Sequence, residues 1–141
     1  MPEMLIDTLI EPLAQPVKTL PKGGLTWFEL STSDIVRAAA FYHAVLAAPL
    51  LDLSHDEPVF MFPLFDGEVT GALVQRPGRL PNANGTLVYL HIAGTLSDAM
   101  KRVAPAGGSL VTGAMTVPDV AGTFCVIADS EGNHVGLHAE R

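Results

Sequence analysis

The stretch "WFELSTSDIVRAAAFYHAVLAAPLL" at residues 27–51 decides the fold, because "LVYLHIAGTLSDAMKRVAPAGGSLV" at residues 87–111 repeats its order. Each runs strand, polar turn, helix, small-residue break, strand. In the first copy Ser33 and Asp34 supply N-cap chemistry. Ile35, Ala38, Ala39, Tyr42, Val45 and Leu46 then recur at helical spacing, and Ala47-Ala48-Pro49 ends the run. In the second copy Gly94 and Thr95 lead into Leu96, Ala99, Met100 and Val103, and Pro105 with Gly107-Gly108 stops the helix. The echo extends downstream. Phe60-Met61-Phe62 and Asp66-Gly67 match Phe124-Cys125-Val126 and Glu131-Gly132, and Gly71 matches Gly136. A repeat of about 60 residues in two copies is too long and too few for a solenoid.

Working outward, short apolar runs bounded by turn residues predict strands at 27–32, 50–54, 58–64 and 71–75. The second copy predicts them at 86–92, 109–116, 122–128 and 134–139. The expected fold is α+β: two βαβββ units forming a curved mixed sheet around a cleft, with helices on the outside. The first unit spans 25–76 and the second 86–141, joined by a Pro-, Gly- and Asn-rich linker at 77–85. Residues 1–24 hold Pro2, Pro12, Pro16 and Pro21 and read as an N-terminal arm or linker. Its Leu5, Ile6, Leu9 and Ile10 suit packing on a neighbouring subunit, so a homodimer is expected.

Composition narrows the function classes. Apolar residues make up 48% and charged residues 16%, enough for a core. With 8 basic against 15 acidic side chains, the net charge of −7 disfavours nucleic acid and anionic membranes. A small-molecule ligand, neutral or apolar, fits better. The single cysteine, Cys125, lies in the apolar run "TFCVIA" and reads as a buried thiol. No apolar run reaches the length of a membrane span, and no signal-like start is present, so a cytoplasmic location is expected.

Two motifs, "STSDIVRAAAFYHAVLAAPL" and "ADSEGNHVGLH", resemble the vicinal-oxygen-chelate superfamily of glyoxalases, bleomycin resistance proteins and extradiol dioxygenases. The resemblance covers about residues 25–138 and is closest to glyoxalase-like proteins of unassigned reaction. It implies a cleft between the half-sheets, and in metal-dependent members His, Glu or Gln ligands on the first and last strand of each unit. Carried onto this chain, those positions are Trp27, Leu87 or Val88, Gly136 and, by the repeat, Gly71. None has a metal-binding side chain, so no metal is expected at the usual site.

Strand parity sorts the remaining candidates. If the more apolar set meets the helix, Trp27, Glu29 and Ser31 face the cleft on the first strand. Leu87, Tyr89 and His91 do so on the fifth, and His134, Gly136 and His138 on the last. Trp27, Tyr89, Ser31 and His134 are candidate ligand contacts. Glu29, His91 and His138 are candidate acid–base groups, and a carboxylate beside Trp27 is expected to have a raised pKa. Three readings stand on these residues. The first is a metal-free ligand-binding cleft. The second is a lyase or dioxygenase with a displaced Glu29/His91/His138 site for Zn, Fe, Mn or Ni. The third is an association module with an empty cleft. The residues do not decide whether the chain is an enzyme.

Overall fold

The computed structural model describes residues 24–63, 70–118 and 120–140. The N-terminal arm, apart from Gly24, and the turn at Asp66-Gly67 lie outside the described residues. The first unit comprises β1 (Glu29–Ser31), α1 (Ile35–Leu46), β2 (Leu51–Asp52), β3 (Val59–Met61) and β4 (Ala72–Val74). The second comprises β5 (Tyr89–Ile92), α2 (Leu96–Val103), β6 (Ser109–Leu110), β7 (Met115–Val117), β8 (Val120–Ala128) and β9 (His134–Ala139). The α+β fold and the doubled unit are as expected.

Both helices start where the sequence places a cap. Asp34 Oδ1 accepts the Arg37 N–H at 3.1 Å, and Thr95 Oγ1 accepts that of Asp98 at 3.2 Å. Ala47 ends α1 in the left-handed region at φ 55°, and the Ala48 N–H bonds back to His43 O. In each unit the first strand runs parallel to the last, giving sheet orders β1-β4-β3-β2 and β5-β9-β8-β6, with β7 also on β8. The sixth strand expected at 109–116 is broken. The Val111 and Thr112 N–H groups both donate to Val126 O, while Thr112 Oγ1 accepts the Val126 N–H. A side chain thus replaces a ladder carbonyl and splits the strand into β6 and β7.

Register fixes the faces. Leu30 pairs with Leu73 and Leu90 with Leu137, and all four belong to or pack on the core. Hence Ala72, not Gly71, is the counterpart of Gly136. Gly71 lies one position earlier, on the helix side, where an added Cβ would overlap Phe28.

One core joins the units. Phe41 and Tyr42, adjacent on α1, are both buried. Tyr42 meets Phe62 of the first unit edge-on at 5.1 Å, while Phe41 closes against Gly108 of the second. Arg102 of α2 donates to Val45 O of α1 from Nε and Nη2 at 3.1 and 2.9 Å. The turn between β8 and β9 completes the seam. Buried Asp129 accepts from Tyr42 Oη at 2.6 Å, and Asn133 Nδ2 donates to Ser31 O at 2.8 Å. Burial first, then the Asp129 charge, pushes the Tyr42 pKa well above its ordinary value. Glu131, on the same turn, accepts the Ser33 and Asp34 N–H groups at 2.9 and 2.8 Å and pairs with Arg37 at 2.7 Å. A carboxylate from the second unit therefore finishes the N-terminus of the first unit's helix. Among the described residues no helix is long and apolar enough to cross a membrane.

Candidate functional site

Each sheet turns one face to its helix, and the opposite, open face is exposed at Tyr89 and His91 but buried at Ala72 and Val74. In β5 the alternation is plain: Leu90 and Ile92 are buried, Tyr89 and His91 exposed. In β1 Glu29 shares the open face with Ser31, and with Ala72 and Val74 opposite them on β4. The same period carries Arg76, two residues past Val74, onto that face, where it takes hold of Glu29. Arg76 Nη1 and Nη2 both donate to the Glu29 carboxylate, and Arg76 Nη2 also bonds Glu57 Oε1 at 2.7 Å. Trp27 Nε1 donates to Glu29 Oε2 at 3.3 Å. The guanidinium holds the Glu29 carboxyl below the ordinary carboxylate range. The expected upward shift is therefore reversed, because the partner of Glu29 is a cation as well as an indole. Sequence reasoning placed Arg76 at the edge of the linker and missed it. Extending the alternation of β4 by one step would have found it.

The open face of the second sheet is a row of rings. Tyr89 meets Phe124 edge-on at 5.8 Å, and Phe124 stacks on His138 at 4.5 Å. His91, the register partner of His138, lies 6.5 Å from it between ring centroids. His138 Nε2 is 2.9 Å from Ala121 O. A carbonyl can only accept, so Nε2 carries the proton. Ser31 contributes through its backbone oxygen, which holds Asn133. His134 pairs with Ala128 at the start of β9 and is half-buried. Trp27 is 41% exposed, available for contact rather than part of the core. Cys125 is buried, and burial pushes its thiol pKa up, as suits a structural residue.

Between the units lies a cavity of ≈ 650 Å³, within the usual range for small-molecule sites. Phe28, Leu46, Phe62 and Thr70 line it from the first unit, and Tyr89, His91 and Glu140 from the second. Of the candidates, Tyr89 and His91 reach this cavity, while Glu29, Trp27, Ser31, His134 and His138 are not among its lining residues. A hollow of ≈ 460 Å³ beside α2 is lined by none of them.

A family model described as "Glyoxalase/Bleomycin resistance protein/Dioxygenase superfamily" matches residues 24–137. The chain belongs to this superfamily. No curated protein sequence matches it. Solved structures share its fold at low identity. TnmS3, an antibiotic binding protein from Streptomyces sp. CB03234, is 20% identical with a TM-score of 0.62, over 86% of this chain and 98% of that one. A glyoxalase-related enzyme from Fulvimarina pelagi is 15% identical with a TM-score of 0.61, over 85% and 88%. A hypothetical protein from S. aureus is 18% identical with a TM-score of 0.62, over 84% and 95%.

The superfamily resemblance implies a divalent metal in some members, and the residues here do not fit one at the usual positions. An added Cβ on Gly136 would overlap the Tyr89 ring, so no side chain has room to reach an ion from there. Trp27 has no donor atom suited to a metal, and Ala72, the true counterpart of Gly136, has none either. The displaced set fares no better. Among the described residues no group of three or more His, Cys, Asp or Glu could hold an ion, and this includes Glu29, His91 and His138.

Proposed function

We propose that the chain is a metal-free, small-molecule-binding member of the superfamily, with a mainly apolar ligand held between its two units. The observation that carries this reading is the cavity between the units, lined by the Phe28–Phe62 ring pair on one side and by Tyr89 and His91 on the other. Aromatic faces supply area at low ordering cost, and the few polar groups orient the ligand. Glu29 holds Arg76, and His138 holds the Ala121 carbonyl. That supports binding over catalysis. His91 is the acid–base candidate among the residues that line the cavity.

A ligand that binds only the folded chain raises its stability by about 2.7 kcal/mol at a hundredfold excess over Kd. Thermal melts against a panel of small aromatic and aliphatic compounds test the reading, and a panel that shifts nothing would favour an association module. Metal analysis of the purified protein tests the other half. Stoichiometric Zn, Fe, Mn or Ni that is lost in His138→Ala would overturn it in favour of a lyase or dioxygenase.

A homodimer belongs to the same reading. Leu110, Val111, Met115, Val117 and Val120 are exposed along β6, β7 and the start of β8, an apolar edge that a second copy would cover. Light scattering of the purified chain decides it, with a monomer as the contrary result. A cytoplasmic setting suits the lone buried thiol.

A further inference from the structure

The cavity that carries the proposed function is chemically lopsided. Its first-unit wall is apolar. Phe28 and Phe62 lie 5.5 Å apart and tilted by 34°, with Leu46 and Pro63 beside them. Thr70 adds little polarity there, because its hydroxyl donates to the Phe62 and Pro63 carbonyls. The other polar side chains among its described lining residues belong to the second unit: Tyr89, His91 and Glu140. Glu140 is the one charged side chain among the described lining residues, and no Lys or Arg accompanies it.

That imbalance sorts ligands by their head group. Among the described lining residues a carboxylate or phosphate entering the cavity would meet no cation, and would meet Glu140 instead. A protonated amine gains Glu140 as a counter-ion and can also donate to the Tyr89 oxygen. The net charge of −7 acts in the same direction at longer range. We infer that the ligand is an aromatic or branched apolar body carrying a protonated amine, the body against Phe28 and Phe62 and the amine at Glu140. The inference rests on the cavity being the ligand site, and it refines the mainly apolar reading by assigning a head group.

Three compounds of one skeleton separate the two layers of this argument: naphthylethylamine, naphthylethanol and naphthylacetate. Calorimetric titration of the full-length chain should rank them amine, alcohol, carboxylate, with the amine about tenfold tighter than the carboxylate. Glu140 is exposed, so Glu140→Gln leaves the fold intact and should reduce the amine's advantage over the alcohol to less than about twofold. Ala93→Trp, at an exposed lining position, should weaken all three together. Equal binding of the three, a preference for the carboxylate, or an amine preference that survives Glu140→Gln would overturn the head-group assignment alone. Absence of binding by all three, or binding indifferent to Ala93→Trp, would overturn the cavity reading beneath it.

Discussion

The Tyr89 ring lies over Gly136, its direct partner across the parallel β5–β9 pair, and fills the space that a side chain there would need. The superfamily position for a metal ligand is thus closed from two sides: the residue has no side chain, and its neighbour has taken the room. Gly136→Ala should cost about 1–3 kcal/mol, because the ring must leave its place beside Phe124. In a Tyr89→Ala background the same change should be close to neutral. Urea unfolding of the two single variants and the double variant measures the coupling, and simple additivity would refute the overlap.

Glu131 makes stability depend on acid. Burial of its carboxyl opposes the charge. Hydrogen bonds from Arg37, the Asp34 N–H, Ser130 and the Ser33 N–H outweigh that burial and hold the pKa at about 2. A folded pKa below the unfolded one means the contribution is complete above about pH 4.5 and is lost as pH falls towards 2. It amounts to about 2 kcal/mol once the exposure of Arg37 is allowed for. Thermal midpoints from pH 7 down to 2 should fall through that window, and Glu131→Gln should flatten the fall while lowering the midpoint at neutral pH.

Arg76 sets the ionisation of two carboxylates. Glu29 and Glu57 are both held below the ordinary range, first of all by their hydrogen bonds to Arg76. In Arg76→Gln both should titrate higher, moving towards about 4.3, as read from carboxyl carbon shifts by NMR. The cluster is solvent-facing, so the accompanying loss of stability should be small. An unmoved Glu29 titration would show that the pair does not persist in solution.

Removing the Tyr42 hydroxyl tests the seam. Tyr42→Phe keeps the ring contacts with Phe41 and Phe62 but deprives buried Asp129 of a donor. The expected cost is about 1–3 kcal/mol in chemical denaturation. A neutral result would mean that water replaces the hydroxyl.

Ala47 offers the opposite sign. A non-glycine residue held at φ 55° carries a strain of about 1 kcal/mol, so Ala47→Gly should raise stability by roughly that amount. A loss on substitution would show that the Ala47 methyl packs against its neighbours more than its backbone strains.

Much of this was legible in the chain because it follows from period and caps. The span of α1 could be read from Asp34 to Ala47, and the open-face assignment of Tyr89, His91 and His138 from alternation alone. What escaped was anything set by partners distant in sequence. Arg76 changes the character of Glu29 across 47 positions, and Glu131 reaches Ser33 across 98. The equivalence of Gly71 and Gly136 failed for a related reason: spacing within a repeat does not fix strand register, whereas the burial of Leu73 and Leu137 does.

The cap that Glu131 lends to α1 has no counterpart in the other direction among the described residues: α2 begins on its own Thr95 and Asp98. The two halves therefore depend on each other unequally. Severed from its partner, the first half would lose the carboxylate at its helix start, while the second half would keep its own. The turn at Glu131 completes a helix that starts at Ile35, far earlier in the sequence. A nascent chain would hold that helix start unfinished until synthesis had passed Asn133.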